Sequence, residues 1–150
     1  WGQRLREILQ QDAEVPDAVV RAVIRVLAEW DWDERPAGVV GMPSRRHPLL
    51  VGSLAAAIAQ IGRLPLLGSL DLIDGGPIGE PGGNSAFRLA AVWERLGVSP
   101  DLASRLDGIP GPVLLVDDLV SSRWSLTVAA RALRAAGAAA VLPLVLAVDG

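Results

Sequence analysis

The stretch Gly111-Pro112-Val113-Leu114-Leu115-Val116-Asp117-Asp118-Leu119-Val120-Ser121-Ser122-Arg123-Trp124-Ser125-Leu126 decides the reading of the fold. Val113 to Val116 are apolar without alternation, the pattern of a strand buried on both faces. Asp117 and Asp118 end that strand. A Ser-rich turn follows, then an amphipathic helix with Leu126, Ala129, Ala130 and Leu133 on one face, ending at Gly137. In an open parallel sheet, ligands bind where strands end and helices begin. Acidic side chains there can hold sugar hydroxyls or a hydrated Mg²⁺, and a helix N-terminus can hold a phosphate.

The same strand-to-helix grammar extends outward. Gly38 to Met42 is a short buried strand stopped by Pro43, and Ser44-Arg45-Arg46-His47 is a loop. A helix follows with Leu50, Leu54, Ile58 and Ile61 on one face and Gly62 near its end. A second strand lies within Leu64 to Leu72. Gly75 to Gly83 is a glycine- and proline-rich loop or lid, and Asn84 caps a helix running to about Leu96. Residues 98–110 form a short helix or turn, and Val141 to Val148 a last buried strand. This alternation predicts an α/β fold, a mainly parallel sheet flanked by helices. Ahead of it, residues 3–12 read as a helix with Leu5, Ile8 and Leu9 inward. Pro16 opens a second helix, whose stripe Val19, Val23, Val26 and Trp30 is widened by Val20, Ile24 and Leu27. The expected organisation is an N-terminal helical extension, 1–36, packing on a domain at 37–150. The Trp30-Asp31-Trp32 segment would seal their junction.

Composition narrows the function classes. A chain of 150 residues, 51% hydrophobic, suits one globular core. The net charge of −3 excludes a global attraction to nucleic acid. Every basic side chain is Arg, and the Arg/Ala/Leu/Val/Gly bias suggests a GC-rich bacterial genome. With no Cys, disulfides, thiolate nucleophiles and Cys-based zinc sites are excluded. The apolar run Ala135 to Val148 is interrupted by Pro143 and is shorter than the ~20 residues of a membrane span. No signal peptide is visible, so a cytoplasmic setting is expected. A chain beginning with Trp1 is expected to be part of a longer protein. His47, the only histidine, reads as a polar residue at a helix start. No Gly-x-Ser-x-Gly elbow exists for it to serve, and the Gly75–Gly83 loop lacks the Gly-Lys-Ser/Thr ending of a P-loop.

The strand, acid pair and turn at 113–125 resemble the phosphoribosyl-pyrophosphate (PRPP) motif of type I phosphoribosyltransferases, in which an acid pair is followed by a Thr-Thr-Gly-Ala-Thr type phosphate loop. The resemblance implies the type I phosphoribosyltransferase-like fold. It further implies that Asp117 and Asp118 hold ribose hydroxyls, with or without Mg²⁺ reached through ligand or water, and that Ser121, Ser122 and Ser125 hold a phosphate. Arg123 stands where the family has Gly, and Trp124 where it has a small residue. A side chain at that Gly position either strains the turn or fills the pocket. Arg123 can pair with a phosphate, or with Asp117 or Asp118 in place of a bound cation. Trp124 is either a stacking platform for a base or a core anchor. Met42-Pro43-Ser44-Arg45-Arg46 resembles the family's pyrophosphate-receiving loop and the Pro-x-x-Arg-Arg pattern of its ComF-like branch. Ser44, Arg45 and Arg46 then flank the phosphate, the alternative being a solvated basic loop. Asn84-Ser85-Ala86-Phe87 is similar to the Asn-x-x-x-Phe stretch of that branch.

A second resemblance spans most of the chain. Trp30-Asp31-Trp32, Arg35-Pro36, Pro43-Ser44-Arg45-Arg46, Gly82-Gly83-Asn84-Ser85 and Val113–Thr127 together look like the C-terminal region of actinobacterial RecQ-type ATP-dependent DNA helicases. This implies an accessory domain that binds a phosphorylated sugar or nucleotide, or is catalytically vestigial. Its partners would be the helicase motor of the same chain and, through the parent protein, DNA, with no membrane. Helicase activity would belong to the parent alone, since no Walker A sequence is present. The alternatives are an active transferase using PRPP and a protein- or DNA-contacting module.

Overall fold

The computed structural model describes residues 1–77, 84–121 and 123–149. In chain order the elements are α1 (Gly2–Ile8), α2 (Asp17–Glu29), β1 (Gly38–Gly41), α3 (Pro48–Gly62), β2 (Leu66–Ser69), β3 (Asp71–Leu72), α4 (Ser85–Val92), β4 (Leu96–Gly97), α5 (Pro100–Asp107), β5 (Val113–Val120), α6 (Trp124–Ala135) and β6 (Val141–Val148). The main sheet has the order β2-β1-β5-β6 and every pairing in it is parallel.

Strand alternation divides the core between the two faces of this sheet. Val39, Leu114 and Val116 point to one face, where Leu54, Ala55, Ile58 and Ala59 of α3 cover them and the half-buried Val23, Ile24 and Leu27 of α2 add a second layer. Val40, Val113 and Leu115 point to the other, beneath Leu102 and Leu106 of α5 and Val128, Ala129 and Leu133 of α6. The continuous apolar run of β5 follows from this two-sided burial, and Val113 to Val116 are all no more than 1% exposed.

The two crossovers leave the centre of the sheet in opposite directions. From β1 the chain passes through α3 to β2; from β5 it passes through α6, on the opposite face, to β6. β1 and β5 are neighbours, so the strand order reverses between them. In sheets of this kind the crevice at the carboxyl ends of such a pair is the ligand position.

Several sequence expectations are revised. Val26 and Trp30 are 49% and 59% exposed, so the buried stripe of α2 is centred on Val19, Val20, Val23, Ile24 and Leu27. Ile61 is likewise exposed, and the left-handed cap of α3 is Arg63 (φ 54°), not Gly62. The first helix stops at Ile8, and α4 stops at Val92 because β4 follows and pairs antiparallel with β3. β6 is an edge strand with half-buried residues, not a fully buried one. Asn84 does cap α4, its Oδ1 accepting from the N–H groups of Ala86 and Phe87. Trp32 joins the core beside α2 and donates its indole N–H to the Leu27 carbonyl, whereas Trp30 leans on it from solvent. The Gly75–Gly83 loop lies outside the described residues from position 78 onward. Among the described residues no helix is long and apolar enough to cross a membrane.

Candidate functional site

The pairing of β1 with β5 ends at Gly41 opposite Val116, closed by the Met42 N–H donating to the Val116 carbonyl at 2.8 Å. β5 continues beyond that point, held on its other side by β6 as far as Val120 opposite Val148. The acid pair therefore sits inside β5 and not at its last residues, as the sequence had suggested. Where β1 gives way to the Pro43–His47 loop, a cavity of about 160 Å³ opens, and Ser44, Arg45, Asp117, Asp118, Ser121 and Ser125 contribute to its walls.

Both acids are buried, Asp117 at 7% and Asp118 at 6% exposure. A buried carboxylate is costly unless it is paired or takes a proton, and the two solve this differently. Burial pushes the Asp117 carboxyl up to about 7, aided by its contact with the Asp118 carboxyl and opposed by the Asp118 backbone N–H that it accepts at 2.9 Å. Asp118 has a partner: its Oδ2 meets Nδ1 of His47, which is itself buried. The Ser44 hydroxyl lies 3.4 Å from the same oxygen, and Oδ1 accepts from the Leu119 N–H at 2.7 Å.

The structure separates the candidate residues by location. Ser44 turns the loop by accepting the His47 N–H at 2.9 Å, which sets it beside Asp118. Arg45 is exposed, and its guanidinium donates to the Pro77 carbonyl at 2.6 Å, bridging one rim of the cavity. Arg46 is exposed and away from the cavity walls. Ser121 and Ser125 line the cavity, and Ser122 lies outside the described residues. Arg123 is exposed and caps α6 with ordinary right-handed backbone (φ −70°, ψ −9°). It neither strains the turn nor fills the cavity, and among the described residues it makes no ion pair with Asp117 or Asp118. Trp124 packs half-buried against the core under α6, which is the anchor position.

His47 is the residue that the sequence reading left out of the site. It does stand at the start of α3, but its side chain makes no capping bond and crosses to Asp118 instead. The two are 71 positions apart, so no local pattern links them. The only signal was a lone histidine directly after the Pro43–Arg46 loop.

Among the described residues no group of three or more His, Cys, Asp and Glu is arranged to hold an ion. One of the two acids is engaged by His47, and burial raises the carboxyl of the other to about 7. What the pair does offer is hydroxyl recognition: a carboxyl that can donate beside a carboxylate that can accept.

No family model matches the chain, and no curated protein matches it in sequence. Among solved structures it is similar to the glutamine phosphoribosylpyrophosphate (PRPP) amidotransferase from B. subtilis complexed with ADP and GMP, with a TM-score of 0.53 and 20% identity, over 85% of this chain and 26% of that one. The chain thus spans about a quarter of the length of that protein. At this identity the likeness concerns the fold. The parallel sheet β2-β1-β5-β6 and its flanking helices are those of a type I phosphoribosyltransferase-like fold.

Proposed function

We propose that the chain is a phosphoribosyltransferase-like binding domain whose cleft takes a ribose phosphate or a nucleotide. The observation that carries this reading is the buried Asp117–Asp118 pair facing a cavity at the reversal point of the sheet. In this reading the two acids receive the vicinal hydroxyls of the sugar. The turn at 121–125 and the start of α6 receive the phosphate through N–H and hydroxyl groups. Arg45, at the rim, meets a second phosphate when the ligand carries one. Mg²⁺, where a diphosphate ligand brings it, is held by the oxygens of the ligand and by water.

The domain is a binder rather than an efficient transferase. Cleaving a bond at the anomeric carbon of ribose develops positive charge on the sugar, and catalysis requires preorganised negative charge near it. Here Asp118 is engaged by His47, and burial raises the Asp117 carboxyl to about 7, which weakens its negative charge at neutral pH. The resemblance of the Trp30–Pro36, Pro43–Arg46 and Val113–Thr127 segments to RecQ-type helicases supports placing this domain beside a helicase motor, which would supply ATP hydrolysis and DNA contact.

Calorimetric titration of the chain with ribose 5-phosphate and with PRPP and Mg²⁺ tests the site. Binding at millimolar or better affinity, weakened at least about tenfold (about 1.4 kcal/mol) in Asp118→Asn, is expected. No heat with either ligand, in a protein that melts cooperatively, would show the cleft to be vestigial.

A further inference from the structure

We propose that residues 9–15 form a strap whose docking is transmitted through His47 to Asp118, which makes His47 a positioning residue for the cleft. Only the ligand dependence of this coupling rests on the function proposed above.

The strap is tied at three points. The Leu9 carbonyl lies 3.1 Å from Nε2 of His47. Asp12 Oδ1 accepts the N–H groups of Leu49 and Leu50 at 2.9 and 3.2 Å. The Val15 N–H donates to the Ser53 hydroxyl at 2.8 Å. These bonds divide labour in an unusual way. The first N–H groups of a helix are ordinarily satisfied by the side chain of its own capping residue. In α3 the capping position is His47, and its side chain makes no such bond. Asp12 of the strap supplies the acceptor instead, leaving His47 free to face the cleft.

Hydrogen-bond roles complete the chain of contact. A carbonyl oxygen only accepts, so Nε2 donates to Leu9, and Nδ1 meets Asp118 Oδ2 through one proton held between the two. With the strap docked, the imidazole is held at both nitrogens and Asp118 Oδ2 is held against it. With the strap released, α3 loses its distant cap and His47 loses its Nε2 anchor. The capping acceptor for Leu49 and Leu50 must then come from elsewhere, and His47 at the N-terminus of the helix is free to leave Asp118. Oδ2 would keep only the Ser44 hydroxyl at 3.4 Å, and the carboxylate would be free to turn to the cavity. Strap docking and the state of the acid are thus two readings of one arrangement, and a ligand that engages Asp118 must favour one of them.

Hydrogen exchange on the whole chain decides this. Among the described residues Asp118 is hydrogen-bonded to the strap only through His47, so Asp118→Asn and His47→Ala should each speed amide exchange in residues 9–15 by about tenfold more than in β5 and α6. Unchanged exchange in the strap of a folded Asp118→Asn protein would overturn the proposal. If that variant does not fold, Asp12→Ala serves: the ¹⁵N signals of the single imidazole should move, and signals identical to wild type would overturn it. In wild type saturated with ribose 5-phosphate, protection of residues 9–15 should change, and no change at saturation would remove the regulatory coupling. If ribose 5-phosphate does not bind at all, the ligand reading fails, and the Asp118→Asn exchange result alone decides the strap.

Discussion

His47 Nδ1 and Asp118 Oδ2 meet across the gap between the loop after β1 and strand β5, both side chains only 9% exposed. The contact joins two segments that diverge at the centre of the sheet, so it fixes the mouth of the cleft as well as giving a buried acid a hydrogen-bond partner. Removing one member of a buried pair leaves the other uncompensated. His47→Ala and Asp118→Asn should each lower stability by about 1–3 kcal/mol, less than the loss usual for a fully buried pair because the cleft admits water. In urea denaturation the double variant should lose clearly less than the sum of the two. Strict additivity would mean that the residues do not depend on one another.

The pH dependence of stability should carry the mark of Asp117. Its folded pKa of about 7 lies above the ordinary 3.8, so the folded state binds a proton that the unfolded state has released. Its contribution is then most favourable below about pH 4 and is lost as pH rises toward 7. Asp117→Asn should flatten this slope and, at pH 8, stabilise the protein by about 1–3 kcal/mol over wild type. Denaturation midpoints at pH 5 and pH 8 measure it, and a variant that loses equally at both values would contradict the assignment.

Much of this arrangement was legible in residues 111–126. The short apolar run bounded by Gly111-Pro112 and an acid pair reads as a buried strand, and Val113–Val116 is one. The period of β1 and α3 told the same story. What escaped was set by partners distant in sequence. Whether β5 stops at Asp118 or Val120 depends on the length of β6. The pairing of β3 with β4 joins two two-residue strands with no pattern of their own. The role of His47 depends on Asp118 and on Leu9, at separations of 71 and 38 residues. Arg123 was expected to disturb the phosphate turn, because a helix-start position in ordinary backbone is not distinguishable from a left-handed one by residue type alone.

Turnover should be slow. With PRPP, Mg²⁺ and each common base or orotate, pyrophosphate release should stay well below the ~1 s⁻¹ of an ordinary enzyme. Release at that rate would mean that ligand binding rearranges the His47–Asp118 contact and exposes the charge the reaction needs.

Free DNA should bind weakly. The net charge is −3, and the adjacent Arg45 and Arg46 are the only basic pair in sequence. Arg45 is already bonded to the Pro77 carbonyl. At about 150 mM salt, affinity for single- or double-stranded DNA should be no tighter than the micromolar range of non-specific binding. A nanomolar complex with a steep salt dependence would mark the domain as a DNA-contacting module in its own right.

The last prediction concerns Arg123. Its backbone is ordinary right-handed helix geometry, so glycine brings no relief of strain there. Its side chain is exposed and outside the cavity walls, so removing it opens no space. Arg123→Gly should therefore cost at most about 1 kcal/mol of stability, the ordinary cost of glycine near a helix start. Its effect on ligand should be a loss. The guanidinium stands at the N-terminus of α6, where a bound phosphate would gain from a nearby positive charge. Ribose 5-phosphate affinity should fall several-fold, on the order of 1 kcal/mol. Calorimetry on wild type and Arg123→Gly, each checked by thermal melting, reads both effects. Tighter binding by the glycine variant would show that the arginine blocks the phosphate turn, and that the family-like Gly is the residue a working site requires.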